Sequence, residues 1–206
     1  MRFFMLGWKA FQLFRGLHNK GLLLSDNRIR IGKLNATITA SCHAKVFEWA
    51  KNILEKYREN ILKEERGNVY KFNLGQIAFY QKEYEEADNL FLEVELFTKH
   101  QSYSNNCRIL RLKCLYELGT DLNFMNSECK RAKEFMRTHS HNSEVDKTSQ
   151  INFINALHNL YRIKKGDKDK EKLKDIKIQI EKDFDYISDV RWLLEKTTEL
   201  KQQKKS

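Results

Sequence analysis

The stretch Gly67–His100, GNVYKFNLGQIAFYQKEYEEADNLFLEVELFTKH, decides how this chain is read. Apolar and aromatic residues recur in it at three- and four-residue steps, the spacing that brings side chains to one face of an α-helix. The pattern breaks once, at Gln81-Lys82-Glu83. Two amphipathic helices around a tight turn are expected, Val69–Tyr80 and Tyr84–Phe97. Asn68 is the expected N-cap, since its short amide can accept from the open N–H groups of a first turn.

Working outward, the pattern returns. Phe47-Glu48-Trp49-Ala50 aligns with Tyr84-Glu85-Glu86-Ala87 at an offset of 37 residues. A second step of 37 reaches Asp121-Leu122-Asn123-Phe124, just after Tyr116-Glu117-Leu118-Gly119. Three helix–turn–helix copies at a fixed period predict a short α-solenoid, in which each pair buries its face against the next.

The middle copy carries a family resemblance. Asn73-Leu74-Gly75, Tyr84, Ala87 and Phe91 resemble the N-L-G, the second-helix aromatic, the small residue and the later aromatic of the tetratricopeptide (TPR) repeat. Small Gly75 and Ala87 would let two helices approach, with Leu74, Tyr84 and Phe91 filling the groove; Phe47 and Ala50 hold matching places in the first copy. Lys71 stands where the family usually has Trp, Ala78 where it has Tyr, and no proline closes the repeat. The segments Gly16–Leu24, Tyr116–Gly119 and Arg191–Lys196 resemble bacterial TPR-like proteins of the Bacteroidetes type. That likeness implies an all-helical scaffold and no known activity. The TPR resemblance also implies that partners are held on the inner faces of the first helices. Counted from Leu74 and Gly75, those positions are Asn35, Thr39 and His43; Phe72, Gln76 and Tyr80; and Ile109, Lys113 and Glu117. The family's clamp for a peptide carboxylate is not expected, because Thr39 and Leu110 occupy two of its places.

Composition agrees with long helices. The chain has 206 residues, no proline and only eight glycines. Proline interrupts helix interiors, and a chain of this length can bury ~70% of its unfolded surface. The net charge of +10 is not spread evenly. Residues 1–34 carry +6 and residues 162–206 carry +4, while residues 35–161 balance 17 basic against 17 acidic groups. A nucleic-acid binder concentrates positive charge on one face, so association with nucleic acid through the basic ends is only the alternative reading. From Lys164 to Lys182 the signs alternate, as on a solvated helical face.

Flanking elements follow the same logic. Residues 2–19 predict a first helix with Phe4, Trp8, Phe11, Leu13, Phe14 and Leu17 around more than half its circumference. Such a helix wants neighbours on more than one side, so self-association or packing on upstream repeats is expected there. Gly16, Gly21 and Ser25–Arg28 mark its exit into a loop. Helices are expected at Lys33–His43, Lys45–Glu59, from Ser102 or Ser104 to Tyr116, and at Leu122–Arg137. A capping box at Ser143 and Asp146 should open a helix to Ile163, stopped by Gly166. Asp169–Phe184 and Ile187–Leu200 complete the series, and Lys201–Ser206 is expected to fray.

No catalytic constellation emerges. Phosphate-binding, zincin and serine-hydrolase motifs are absent from the sequence. Cys107 and Cys114 are spaced as core residues, and His139-x-His141 lacks the further ligands a structural metal site needs. Cysteine usage fits a reducing, cytoplasmic setting. Lys9 and Arg15 interrupt the first apolar run, so neither a signal peptide nor a membrane span is expected. The sequence therefore predicts an all-α, right-handed α-solenoid of antiparallel helix pairs. Residues 1–32 form an N-terminal helix and loop, 33–140 three helix pairs, and 141–206 C-terminal helices. Its expected role is non-catalytic protein–protein interaction, with a peptide or helix in the groove and no metal or cofactor.

Overall fold

Ten α-helices and one two-stranded hairpin make up the described part of the chain in the computed structural model. It describes residues 2–94, 101–138, 143–166 and 170–203, with backbone alone at 2–6, 101–103 and 170. Phe97, His100, His139, His141 and the end of the basic tail lie outside the described residues. The all-helical class holds. The chain divides into two units, 1–98 and 99–206, each with its own apolar core. The division falls between the second and third expected helix pairs.

The first unit holds α1 (Arg2–Asn19), the strands β1 (Leu24–Ser25) and β2 (Arg28–Ile29), α2 (Ile31–His43), α3 (Phe47–Lys56), α4 (Arg66–Gln81) and α5 (Tyr84–Leu92). The sequence reading took Ser25–Arg28 as open loop. The structure instead pairs Leu24 with Ile29 and Ser25 with Arg28 across a two-residue turn. Asp26 and Asn27 both adopt left-handed φ, 51° and 57°. That is the primed turn whose twist matches antiparallel strands. Its purpose is packing: Leu23 and Ile29 on either side are buried.

α1 lies on α2 and α3. Phe11 is buried edge-on against Trp49, with ring centroids 5.1 Å apart. Gly7 passes so close to α2 that a Cβ there would sit 2.8 Å from the His43 Cβ. Phe14 and Leu17 pack partly buried against the same core, whereas Trp8 and Leu13 are exposed.

α4 and α5 form the predicted hairpin. The break falls at Lys82, whose φ of 69° reverses the chain. A side chain pays about 1–2 kcal/mol in that left-handed region. Lys82→Gly is therefore expected to stabilise the protein by about 0.5–1 kcal/mol, read as a higher denaturant midpoint. Gly75 is the contact point of the hairpin, since a Cβ there would lie 2.8 Å from the Phe91 ring. Ala87 and Phe91 are buried beside it, and Tyr84 packs on Phe79 at 5.6 Å. Ala50 is fully buried, while Phe47 and Leu74 pack partly buried against the core of this unit.

The expected cap at Asn68 is corrected. α4 starts three residues ahead of the expected Val69, at Arg66, which leaves Asn68 inside its first turn. Arg66 itself fixes the entry, its Nη2 donating to the Glu59 carbonyl at 3.1 Å and its Nη1 pairing with the Glu59 carboxylate at 2.6 Å. α3 likewise ends at Lys56, and a single 3₁₀ turn, Arg58–Asn60, takes over.

The second unit holds α6 (Gln101–Leu118), α7 (Leu122–Thr138), α8 (Glu144–Lys165), α9 (Lys170–Lys182) and α10 (Val190–Gln203). α6 begins ahead of both Ser102 and Ser104, so neither is its cap. Gly119 turns the chain with φ 67°, and Asp121 caps α7 by accepting from the Asn123 and Phe124 N–H groups at 2.8 and 3.1 Å. Ser143 caps α8 as read, but the Asp146 carboxylate takes the Ser143 hydroxyl and not its backbone N–H. Ser143 Oγ accepts from the Asp146 N–H at 3.1 Å and donates to the Asp146 carboxylate at 2.7 Å. α8 is the centre of this core, with Phe153, Ile154, Leu157, Leu160 and Tyr161 all fully buried. Its last turn finishes α6: Lys164 Nζ donates to the Tyr116 carbonyl at 2.5 Å, and Lys165 Nζ donates to the Gly119 carbonyl at 2.5 Å. Cations at a helix C-terminus satisfy carbonyls that have no partner within the helix.

Candidate partner-binding faces

In the first unit, α2 and α4 pack side by side, and five of the six expected inner-face residues there, Asn35, Thr39, His43, Gln76 and Tyr80, meet across the seam together with Asn73. Asn73 Nδ2 donates to Asn35 Oδ1 at 2.8 Å, and Thr39 Oγ1 donates to Gln76 Oε1 at 2.9 Å. His43 Nε2 and the Tyr80 hydroxyl are 3.2 Å apart, with the rings edge-on at 5.0 Å. Two of these pairs are 37 residues apart in sequence, the offset that aligns Phe47–Ala50 with Tyr84–Ala87. The ladder grades in exposure. Asn73 and Gln76 are buried at its base, Asn35, Thr39 and Tyr80 are half-buried, and His43 is exposed. Phe72 does not join it. Phe72 is buried against Phe91 of α5, ring centroids 6.0 Å apart, because a phenyl ring gains most where it leaves water.

The second unit treats the corresponding positions differently. Ile109 belongs to its core. Lys113 Nζ donates to Asp189 at 2.6 Å, and Glu117 accepts from Lys196 Nζ at 2.7 Å. Asp189 lies just ahead of α10 and Lys196 lies on it. Trp192, between them, packs on Tyr116 of α6 at 5.2 Å and on Phe153 of α8 at 6.0 Å. Both ammonium groups approach the Trp192 ring, Lys113 at 5.4 Å and Lys196 at 5.6 Å. Lys113 and Lys196 are buried. Burial alone would pull the Lys196 pKa down, yet hydrogen bonds to Glu117 and Glu199 outweigh it and hold the group above the ordinary lysine value.

Asp189, Trp192 and Lys196 were not singled out by sequence reasoning as site residues. The available signal was their own spacing, an acid, an aromatic three positions on and a base four further. Asp189 and Lys196, seven residues apart, answer Lys113 and Glu117, which stand one turn apart on α6.

Titratable groups elsewhere serve the fold. His18 Nδ1 meets the Tyr57 hydroxyl at 2.8 Å and its ring sits edge-on to Trp49. Burial, then Lys56, lowers its pKa; burial, then Lys133 and Arg162, lowers that of His158. Both imidazoles are thus neutral in the folded chain at a pH where the unfolded chain already protonates them. The stability they carry is complete above about pH 6.5 and is lost as pH falls through the depressed folded values. Thermal melts should accordingly show the midpoint dropping from about pH 7 to about pH 5, and less so in His18→Gln/His158→Gln. All four cysteines are buried thiols, and burial pushes Cys42 and Cys129 up to about 12.

Among the described residues no three His, Cys, Asp or Glu side chains converge as metal ligands, and no helix is long and apolar enough to cross a membrane. Comparison with protein-family models, curated protein sequences and solved structures finds no match.

Proposed function

We propose that the chain is a non-catalytic interaction scaffold, a right-handed, TPR-like α-solenoid that holds a peptide or helix on the inner face of its helix pairs. The observation that carries this reading is the α2–α4 ladder, in which a 37-residue offset sets Thr39 beside Gln76 and His43 beside Tyr80. Successive first helices of a solenoid are in lateral contact at that offset. The ladder ends in an exposed imidazole and a half-buried phenol, groups able to donate, accept and stack. Against a partner identified with the wild-type chain, His43→Glu with Tyr80→Ala is expected to weaken binding at least tenfold by titration calorimetry. That corresponds to about 1.4 kcal/mol. Unchanged affinity in the double variant would remove this face from consideration.

The nucleic-acid reading draws less support. Within the basic C-terminal segment, Lys164 donates to the Tyr116 carbonyl and Lys196 to Glu117, both internal acceptors. Phosphate binding collapses between ~50 and ~200 mM salt. A polar and aromatic face should hold its partner across that range.

A further inference from the structure

The register positions that Thr39 and His43 hold on α2 are held on α6 by Lys113 and Glu117, which the chain's own α10 covers. The cover is made in a particular way. α6 offers a cation and an anion one turn apart, Lys113 and Glu117, and α10 with its leading residue answers with Asp189 and Lys196. Trp192 fills the space between the two pairs, against Tyr116 and Phe153. The Lys196–Glu117 pair is buried, while Asp189 is half-exposed beside Lys113. A buried ion pair adds little stability over apolar residues of similar size, and its best-attested use is to fix register. An aromatic anchor flanked by complementary charges is also how an amphipathic helix is read by a groove. α10 follows a 3₁₀ turn, Phe184–Tyr186, and the left-handed Asp189, φ 50°.

We propose that the α6–α8 face of the second unit is a helix-docking groove occupied in cis by α10. The partner it fits is an amphipathic helix carrying an acidic residue, a tryptophan three positions on and a lysine four further. This rests on reading the inner face of α6 as an interaction surface. α10 then acts as a tethered competitor. The segment ahead of it is held on α8, where Asn152 Nδ2 donates to the Tyr186 carbonyl at 3.1 Å and the Ser188 N–H donates to the Ser149 carbonyl at 3.2 Å, so a partner in trans enters only when α10 is released or outcompeted.

The test uses the full-length chain and a fluorescent peptide of residues 188–203, SDVRWLLEKTTELKQQ, followed by anisotropy. In the Asp189→Lys/Lys196→Glu chain, like charges meet at both pairs and α10 is expelled. This variant is expected to bind the peptide at least tenfold more tightly than wild type. A peptide carrying the same two reversals should bind it at least tenfold less well than the natural peptide. A chain with Lys113→Glu/Glu117→Lys should invert the preference between the two peptides. A variant that stays cooperatively folded and binds neither peptide overturns the proposal, as does one that binds both equally. Loss of cooperative folding in both charge-reversed chains also overturns it, because α10 is then a fixed part of the core. The His43 and Tyr80 experiment is scored on the first unit, so either result there leaves this one readable.

Discussion

Phe91→Ala is expected to lower the unfolding free energy by about 3–5 kcal/mol, the cost of removing a buried phenyl ring and leaving a cavity. Phe91 is almost fully buried, packs on Phe72 and fills the notch left by the missing Gly75 side chain. The complementary change tests the notch itself. Gly75→Ala gains about 1 kcal/mol of helix propensity. It also sets a methyl 2.8 Å from the ring, which is held on all sides and cannot swing away as a flexible chain would. Overpacking of this kind costs about 1–3 kcal/mol, so the net effect should be destabilising. Phe91→Leu in the Gly75→Ala background should restore part of the loss. Denaturant midpoints decide it, and a Gly75→Ala chain more stable than wild type would refute the close contact.

Lys196→Ala is expected to cost about 3–5 kcal/mol, comparable to the loss at Phe91 but by a different route. The Lys196 ammonium joins Glu117 at 2.7 Å and Glu199 at 2.9 Å, and the Glu117 side chain is only 13% exposed. Removing the lysine strands a carboxylate with little access to water. Replacing both members, Lys196→Met with Glu117→Leu, removes the stranded charge along with its partner and should return most of the stability. A Lys196→Ala chain within about 1 kcal/mol of wild type would mean that the pair behaves as an exposed one.

How much of this was legible in the sequence depends on how local its cause is. The turn at Lys82, the turn at Gly119, the Ser143 cap and the stop at Gly166 are set by a few neighbouring residues, and each appears where the pattern placed it. Asn68 was misplaced because the entry to α4 is fixed by Arg66 reaching back to Glu59, a contact no capping rule contains. The Asp26-Asn27 hairpin was missed because asparagine and aspartate serve loops and primed turns alike. Only the burial of Leu23 and Ile29 separates the two. At the candidate site, the TPR resemblance implied Thr39, His43, Gln76 and Tyr80 as inner-face positions, and the structure pairs Thr39 with Gln76 and His43 with Tyr80. The resemblance could not say that Phe72 turns toward Phe91, or that α10 lies over Lys113 and Glu117. Those outcomes depend on which distant element arrives, and a repeat period carries no information about its own terminus.

The buried cysteines give the molecule internal clocks. A thiol with its pKa pushed to about 12 is almost wholly protonated at neutral pH, and a reagent such as a disulfide dye reacts only with the thiolate. Modification must therefore wait for the surrounding helices to part. Cys42 times opening around α2, while Cys107, Cys114 and Cys129 time it around α6 and α7. The rates at which they are labelled convert local breathing into a chemical signal without introducing a foreign probe.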